Sequence, residues 1–236
     1  PELLKRGYLS EVVTPSSELR TSIDVTGVKK TGGDYNQKQL AAAVDVDSIT
    51  ASAVQEIVAF GQDRRSWLLF ATSVNHAYNI AAELSEYGID SEVVTGKTAA
   101  AQRTEITERF KAGNLRCLVN VNCLTTGFNA KCVDLLGFLR PTHSVNLYVQ
   151  MVGRGMRLSP DTGKTDCLVL DFAGLIEKHG PVDQVKVKRK RGKGEGDAPI
   201  KDCPKCFFLI HASATVCPYC GHEFPVDTTP DIDPTA

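Results

Sequence analysis

The sequence contains no apolar run approaching the ~20 residues that a membrane-spanning helix needs. It carries no secretory signal peptide, and it begins at Pro1 without a methionine. The expectation is a soluble fragment cut from a longer protein. Net charge is nearly absent: 27 Lys+Arg stand against 28 Asp+Glu, a formal −1. Affinity for nucleic acid must therefore come from local patches and not from a global field. No internal repeat is present, which excludes a solenoid.

A complete phosphate loop, G-x-x-x-x-G-K-[ST], is also missing. Gly96-Lys97-Thr98 follows a strand-like run and precedes a helix, but Ser91 stands five residues before Gly96. Gly163-Lys164-Thr165 has Leu158 at that place and precedes a strand. Leu168-Val169-Leu170-Asp171 resembles a magnesium-holding strand end, yet Phe172 follows where a catalytic glutamate would stand. All three read as non-functional for phosphate binding.

What is present is an alternation of helix and strand between about residues 50 and 173. Trp67-Leu68-Leu69-Phe70-Ala71 has the length and continuity of a buried strand, and further strands read at 92–94, 118–121, 133–139 and 167–170. Helices read at 51–60, 75–87, 99–111 and from Val145. Apolar strands alternating with helices predict a parallel sheet covered on both faces. Binding loops in such sheets lie beyond the carboxyl ends of the strands, where Thr72-Ser73, Thr95-Gly96 and residues 122–129 fall. At 236 residues and 42% hydrophobic, the chain suits one ordinary core plus a small appendage. The first 45 or so residues show little periodicity, with Gly32-Gly33 and Pro15-Ser16-Ser17 as breakers, and read as a connector with a strand or two.

The stretch Gln150-Met151-Val152-Gly153-Arg154-Gly155-Met156-Arg157 ends an apolar helical segment with two arginines three apart. At that spacing both side chains share one helix face. A guanidinium keeps its charge and its planar fork matches phosphate oxygens. This is what an arginine finger requires: charge delivered to the terminal phosphate of a nucleotide bound on a neighbouring domain. The competing reading is a pair of solvated arginines on a frayed helix.

The eight cysteines fall into two groups. Cys117, Cys123, Cys132 and Cys167 sit in apolar segments and read as buried thiols in a reducing compartment. Cys203-Pro204-Lys205-Cys206 and Cys217-Pro218-Tyr219-Cys220-Gly221 form two C-x-x-C pairs, a spacing that suits a structural Cys₄ zinc site. A redox dithiol or a pair of disulfides is the competing reading. Phe207 stands where the usual knuckle has glycine, and His211 and His222 read as surface residues. Between the two modules runs a basic segment containing Lys188, Arg189, Lys190 and Arg191. It reads either as a solvated linker or as a salt-sensitive contact to a nucleic-acid backbone.

Leu68-Leu69-Phe70-Ala71-Thr72-Ser73, Val94-Thr95-Gly96 with Arg103 and Phe110, Leu124-Thr125-Thr126-Gly127-Phe128-Asn129, and QMVGRGMR occur in that order. Together they resemble motifs IV, IVa, V and VI of the second RecA-like domain of superfamily 2 helicases. Gly7-Tyr8-Leu9, Gly32-Gly33-Asp34-Tyr35, the segment 168–174 and the cysteine module resemble the bacterial RadD-type DNA repair helicases. The resemblance implies an α/β fold, with a RecA-like parallel sheet covered on both faces and a small C-terminal Cys₄ zinc ribbon. The implied layout is a connector over 1–47, the RecA-like domain over 48–182, a basic linker over 183–200, the ribbon over 201–226 and a disordered tail over 227–236.

By the same resemblance, Arg154 and Arg157 contact the γ-phosphate and Gln150 sets their position. Gly127 and Asn129 lie beside the nucleotide, Asn129 standing where many relatives have aspartate. Thr72, Ser73, Thr95 and Gly96 hold phosphates of one nucleic-acid strand, and Thr125 or Thr126 couples that strand to the nucleotide. Simple helix capping competes for the hydroxyl residues. The implied ligands are structural Zn²⁺, with ATP and Mg²⁺ in the full-length protein. The implied partners are DNA, the missing N-terminal RecA-like domain, and single-strand-binding or repair proteins. The setting would be cytoplasmic, bacterial or phage-type, and DNA-associated. The fragment alone should not hydrolyse ATP. The alternative is a non-catalytic nucleic-acid-binding module that relies on the ribbon and the basic linker.

Overall fold

The computed structural model describes residues 2–15, 21–121, 129–182, 200–205 and 209–224. In chain order its elements are α1 (Glu2–Lys5), β1 (Glu11–Val13), β2 (Lys30–Thr31), β3 (Asp34–Tyr35), α2 (Gln37–Val44) and α3 (Asp47–Phe60). Next come β4 (Trp67–Phe70), α4 (Val74–Glu86), β5 (Ser91–Thr95), α5 (Ala100–Lys111), β6 (Cys117–Val121), β7 (Leu135–Phe138) and α6 (Val145–Gly155). A 3₁₀ turn (Pro160–Thr162), β8 (Asp166–Asp171), α7 (Leu175–His179), β9 (Ile200–Asp202) and β10 (Leu209–His211) complete the described elements.

Six strands form one sheet in the order β1-β8-β7-β4-β6-β5. Every neighbouring pair is parallel. This is a RecA-like α/β fold. The four inner strands β8, β7, β4 and β6 are almost wholly buried, as their mostly apolar sequences require; the buried Asn120 in β6 is the polar exception among their fully buried residues. Successive residues of β4 face opposite cores. Leu68 and Phe70 pack with Phe110, Tyr148, Met151 and Val152 from α5 and α6. Trp67 and Leu69 pack with Ile57, Ile80 and Leu84 from α3 and α4.

The helices at 47–60, 74–86 and 100–111 and the strands fall where the periodicity places them, with ends moved by a few residues. The connector holds strands as expected, β1, β2 and β3, while α2 and the short α1 and α7 escaped the sequence reading. β1, inside the connector, pairs with β8 and extends the main sheet at its edge. α2 is an eight-residue helix that buries only Leu40 and Val44, one turn apart, too few apolar positions to mark a period. Its start is fixed by Asn36, whose side chain accepts from the backbone N–H of Gln39 at 3.2 Å.

Candidate nucleotide and nucleic-acid site

Helix α6 begins at Ser144, whose hydroxyl accepts from the Leu147 N–H at 3.2 Å. Its Tyr148, Met151 and Val152 bury one face against the sheet. The helix runs antiparallel to the strands, so its end lies over the start of β8. A Cβ added at Gly155 would meet Cys167 Sγ at 2.3 Å and Leu136 Cδ1 at 2.9 Å, whereas one at Gly153 would meet nothing within 4 Å. Gly155 therefore serves the approach of helix to sheet, a role the sequence reading did not assign.

Arg154 occupies the last turn of α6 and is buried; Arg157 follows the C-cap residue Met156 and is half-buried. Burial, and then the nearby Arg157 charge, hold Arg154 below its usual pKa. An Nη1 of Arg157 donates to Oδ1 of Asn129. The structure thus brings Arg154, Arg157 and Asn129 together. Gln150 is exposed, one helical turn before Arg154. Gly127, Thr125 and Thr126 lie outside the described residues.

The backbone of this turn is held from two sides. From the connector, Ser10 donates its N–H to the Met156 carbonyl at 2.8 Å and its hydroxyl to the Arg157 carbonyl at 3.1 Å. From beyond the helix, Lys164 Nζ donates to the carbonyls of Gly155 at 2.6 Å, Arg157 at 2.8 Å and Lys131 at 3.4 Å. A cation at the end of a helix meets the negative pole of the helix dipole and the carbonyls left over by the last turn. Lys164, half of a failed phosphate-loop motif in the sequence, is here the fastening of the arginine turn. Gly163 before it adopts φ 73°, the left-handed conformation that closes the 3₁₀ turn.

The other two decoys have local roles. β5 runs directly into Gly96, and Thr95, Lys97 and Thr98 bond among themselves: the Thr95 N–H donates to Thr98 Oγ1 and the Lys97 N–H to Thr95 Oγ1. Asp171 accepts from the N–H groups of Ile176 at 2.7 Å and Ala173 at 3.2 Å, which caps α7; burial nevertheless pushes its carboxyl up to about 6.

At the carboxyl edge of the sheet, Ser73 is the N-cap of α4 and accepts from the His76 N–H at 3.0 Å. Thr72 is buried, its hydroxyl donating to the Leu139 carbonyl at 3.1 Å and its N–H reaching His76 Nδ1 at 3.3 Å. Its hydroxyl is thus engaged with β7, and what this corner offers a phosphate is the remaining main-chain N–H groups at the start of α4. Gly96 is exposed beside the buried Thr95. The basic residues Lys188, Arg189, Lys190 and Arg191 lie outside the described residues.

A further polar group at the same edge was missed in the sequence, although Asp34 and Tyr35 belong to the connector segment noted there. Asp34 accepts from the Thr142 hydroxyl at 2.6 Å and from the N–H groups of His143 and Tyr35 at 2.7 and 2.8 Å. The Tyr35 and His143 rings lie 4.3 Å apart, and Lys178 Nζ is 2.9 Å from the Tyr35 hydroxyl and 3.3 Å from His143 Nε2.

In the C-terminal module the sulfurs of Cys203, Cys217 and Cys220 lie within 4.8 Å of one another, with Cys203 and Cys220 3.6 Å apart. Four thiolates at ~2.3 Å from a tetrahedral zinc would be separated by about 3.8 Å. The donor set therefore fits zinc with a fourth ligand, for which Cys206 is outside the described residues. Among the described residues of the module, Ile210 is the one residue besides Cys203 and Cys217 that is completely buried. Gly221 turns the second knuckle with φ 70°. Pro218 and Tyr219 of that knuckle, with Leu4, Val12, Val152 and Met156, line a cavity of about 230 Å³ beside α6.

Comparison with known proteins identifies the central part of this arrangement. Residues 50–159 match the helicase conserved C-terminal domain. A 51.5 kDa protein of a Lactococcus phage (isolate 7-9) is 27% identical over 213 residues, covering 87% of this chain and 46% of the phage protein. A Saccharomyces cerevisiae protein provisionally named as the ATP-dependent helicase IRC3 is 28% identical over 175 residues, covering 73% of this chain and 25% of its own length. The chain thus spans less than half the length of these relatives. Among solved structures, a fragment assigned as the HsdR subunit of a type I restriction enzyme from Vibrio vulnificus YJ016 shares the fold. Its TM-score is 0.56 at 18% identity, over 73% of this chain and 34% of that one. No helix among the described residues is long and apolar enough to cross a membrane.

Proposed function

We propose that the chain is the C-terminal half of an ATP-dependent superfamily 2 DNA helicase or translocase of the RadD type, acting on DNA during repair. In this reading ATP and Mg²⁺ sit on an N-terminal RecA-like domain outside the chain. Arg157, with Arg154 beside it and Gln150 one turn before, meets the γ-phosphate when the two domains close. Gly127 and Asn129 line the nucleotide. Thr72, Ser73, Thr95, Gly96, Thr125 and Thr126 track one DNA strand through its phosphates. The basic segment at Lys188, Arg189, Lys190 and Arg191 adds charge. Cys203, Cys206, Cys217 and Cys220 hold a structural zinc that supplies folding energy to a module too small to bury its own core. The chain alone does not hydrolyse ATP.

The observation that carries the reading is the arginine turn. Two guanidinium groups are held at one helix end by a backbone whose carbonyls are occupied by Ser10 and Lys164. Preorganised charge of this kind is what a phosphoryl-transfer transition state requires. A module that only binds nucleic acid has no use for it.

The test is Arg157→Ala in a protein that joins both halves. ATP turnover should fall roughly a thousandfold or more, the usual scale for an arginine finger, while DNA affinity stays nearly unchanged. Arg157→Lys should rescue poorly, because a point charge cannot reproduce the guanidinium fork. Turnover left intact together with lost DNA binding would move α6 to the nucleic-acid surface and favour a non-catalytic binding module.

A further inference from the structure

The carboxyl ends of the six parallel strands lie along one edge, because the registers align Phe70 with Asn120, Phe138 and, through β7, Asp171. Thr95 ends β5, and Thr72 follows β4. The Thr72 hydroxyl bonds to the Leu139 carbonyl, so the loop after β7 continues the same edge. β5 and β7 are three strand spacings apart, about 14 Å. That is room for a short run of nucleotides.

Onto this loop the connector lays the β2–β3 hairpin. Asp34 fixes it there by accepting from the Thr142 hydroxyl and the His143 N–H. The fixing turns three basic side chains into one group. Lys30 pairs across the hairpin with Tyr35, Tyr35 stacks on His143, and Lys178 of α7 reaches both the Tyr35 hydroxyl and His143 Nε2. Lys30 is exposed, and His143 and Lys178 are half-buried. The charges acting on His143 are those of Lys178, Lys30 and His179 on one side and only Asp34 on the other. Lys178 and His143 are both bases, yet their nitrogens are 3.3 Å apart. An ammonium there can only donate to a neutral imidazole. A phosphate oxygen placed beside the pair would accept from the Lys178 ammonium, and from His143 through its Nδ1–H or once the imidazole takes up a proton.

We propose that Lys30, His143 and Lys178 form a further binding site for the phosphodiester backbone of a single nucleic-acid strand, extending the strand's path from the ends of β5 and β4 to the end of β7. This rests on the nucleic-acid reading given under Proposed function. The hairpin is then more than a connector: it carries a lysine and a ring platform to the edge where the strand passes.

The test is fluorescence anisotropy of a labelled single-stranded oligonucleotide about 20 nucleotides long, well above the site size of one small binding domain. The protein is the chain itself, titrated over a salt series, with DNA and RNA in separate arms to show which sugar the strand carries. Removing one phosphate contact lowers the slope of log affinity against log salt by about 0.7 for a single strand. Lys30→Ala should show that loss. Lys30→Ala/Lys178→Ala should lose about 1.4 in slope and about a hundredfold in affinity, roughly tenfold for each of two hydrogen bonds to a charged group. Lys178→Arg should bind like the wild type, and so should Lys111→Ala at the far end of α5. Because Lys30 is exposed, its variant reports even if Lys178→Ala perturbs folding. Wild-type affinity and slope in Lys30→Ala and in the double variant would overturn the site while leaving the wider reading intact. No binding by the wild-type chain to either oligonucleotide would overturn both.

Discussion

Two glycines two residues apart on α6 should respond to the same substitution with opposite signs. Gly153→Ala adds a methyl group to open space inside a helix. Glycine costs a helix interior roughly 0.5–1 kcal/mol relative to alanine, so this variant should be more stable by about that amount. Gly155→Ala places its Cβ 2.3 Å from Cys167 Sγ, 2.9 Å from Leu136 Cδ1 and 3.1 Å from Cys167 Cβ. Both neighbours belong to fully buried strands and cannot swing aside. Overpacking of this kind costs about 1–3 kcal/mol, which exceeds the helix-propensity gain. The propensity gain is common to both, so the two variants should differ by the overpacking cost, about 1–3 kcal/mol. At about 2–4 °C per kcal/mol for a chain of this size, their melting temperatures should separate by roughly 2–12 °C. Thermal and denaturant unfolding of the chain measure this directly. Cys167→Ala on the Gly155→Ala background removes the closest atom and should recover part of the loss. Equal stabilities for Gly153→Ala and Gly155→Ala would refute the close packing of α6 on β8, and with it the position assigned to the arginine turn.

Lys164→Met leaves the carbonyls of Gly155 and Arg157 without their cation. It should destabilise the chain by about 1–3 kcal/mol and speed amide exchange at the end of α6; unchanged exchange there would sink the fastening role. His76 is buried and neutral, its pKa lowered to about 4 from 6.5 chiefly by burial. Since the folded state resists protonation, this stability is fully present above pH 6.5 and is lost as pH falls toward 4, about 3 kcal/mol in all. His76→Gln should flatten that acid limb, measured as the difference from wild type, because Asp171, raised to about 6, contributes in the opposite sense over the same range. The chain should contain about one zinc bound by four thiolates near 2.3 Å, readable by elemental analysis and X-ray absorption. A Cys203–Cys220 disulfide after reducing purification would exclude it.

The fold was legible in the sequence because each inner strand is a mostly apolar run of strand length and each long helix repeats its apolar face. Trp67–Phe70 and Cys117–Val121 need no context to read as buried strands. A strand in the connector was legible, but not its place in the sheet, since Glu11-Val12-Val13 takes that place from pairing with Asp166–Leu168, residues 155 positions away. At the site, Arg154 and Arg157 stood out as a local pair, but they do not share a helix face as expected: α6 ends at Gly155, and Arg157 lies past its cap. Their fastening was not legible. Ser10 reaches the turn from 147 positions away and carries no motif, and Lys164, seven residues beyond Arg157, stood in a false one. The same holds for Lys30, His143 and Lys178, which meet only through the tertiary docking of Asp34. The capping threonines show the converse: Thr72 and Thr95 stood at the right edge, but which atoms they commit to their own backbone is settled by neighbours such as Leu139 and Thr98.

The way the arginine turn is held explains how it could act in the proposed enzyme. Its backbone is fixed by hydrogen bonds from Ser10 and Lys164, so little conformational entropy remains to be lost when a nucleotide arrives. Its guanidinium, by contrast, is parked on the neutral amide of Asn129. A phosphate oxygen offers the guanidinium a full opposite charge and a bidentate fit, where the Asn129 amide offers only a dipole. Exchange of Asn129 for a phosphate is therefore favourable without any repacking of α6. Ser10 adds a second consequence. It lies in the connector, immediately before β1, and so on the path by which an N-terminal domain would be joined. Any rotation between two such domains pulls on the residue that holds the Met156 and Arg157 carbonyls. Closure and finger placement are then one mechanical event, and Ser10→Ala should loosen that link while leaving the guanidinium pair itself in place.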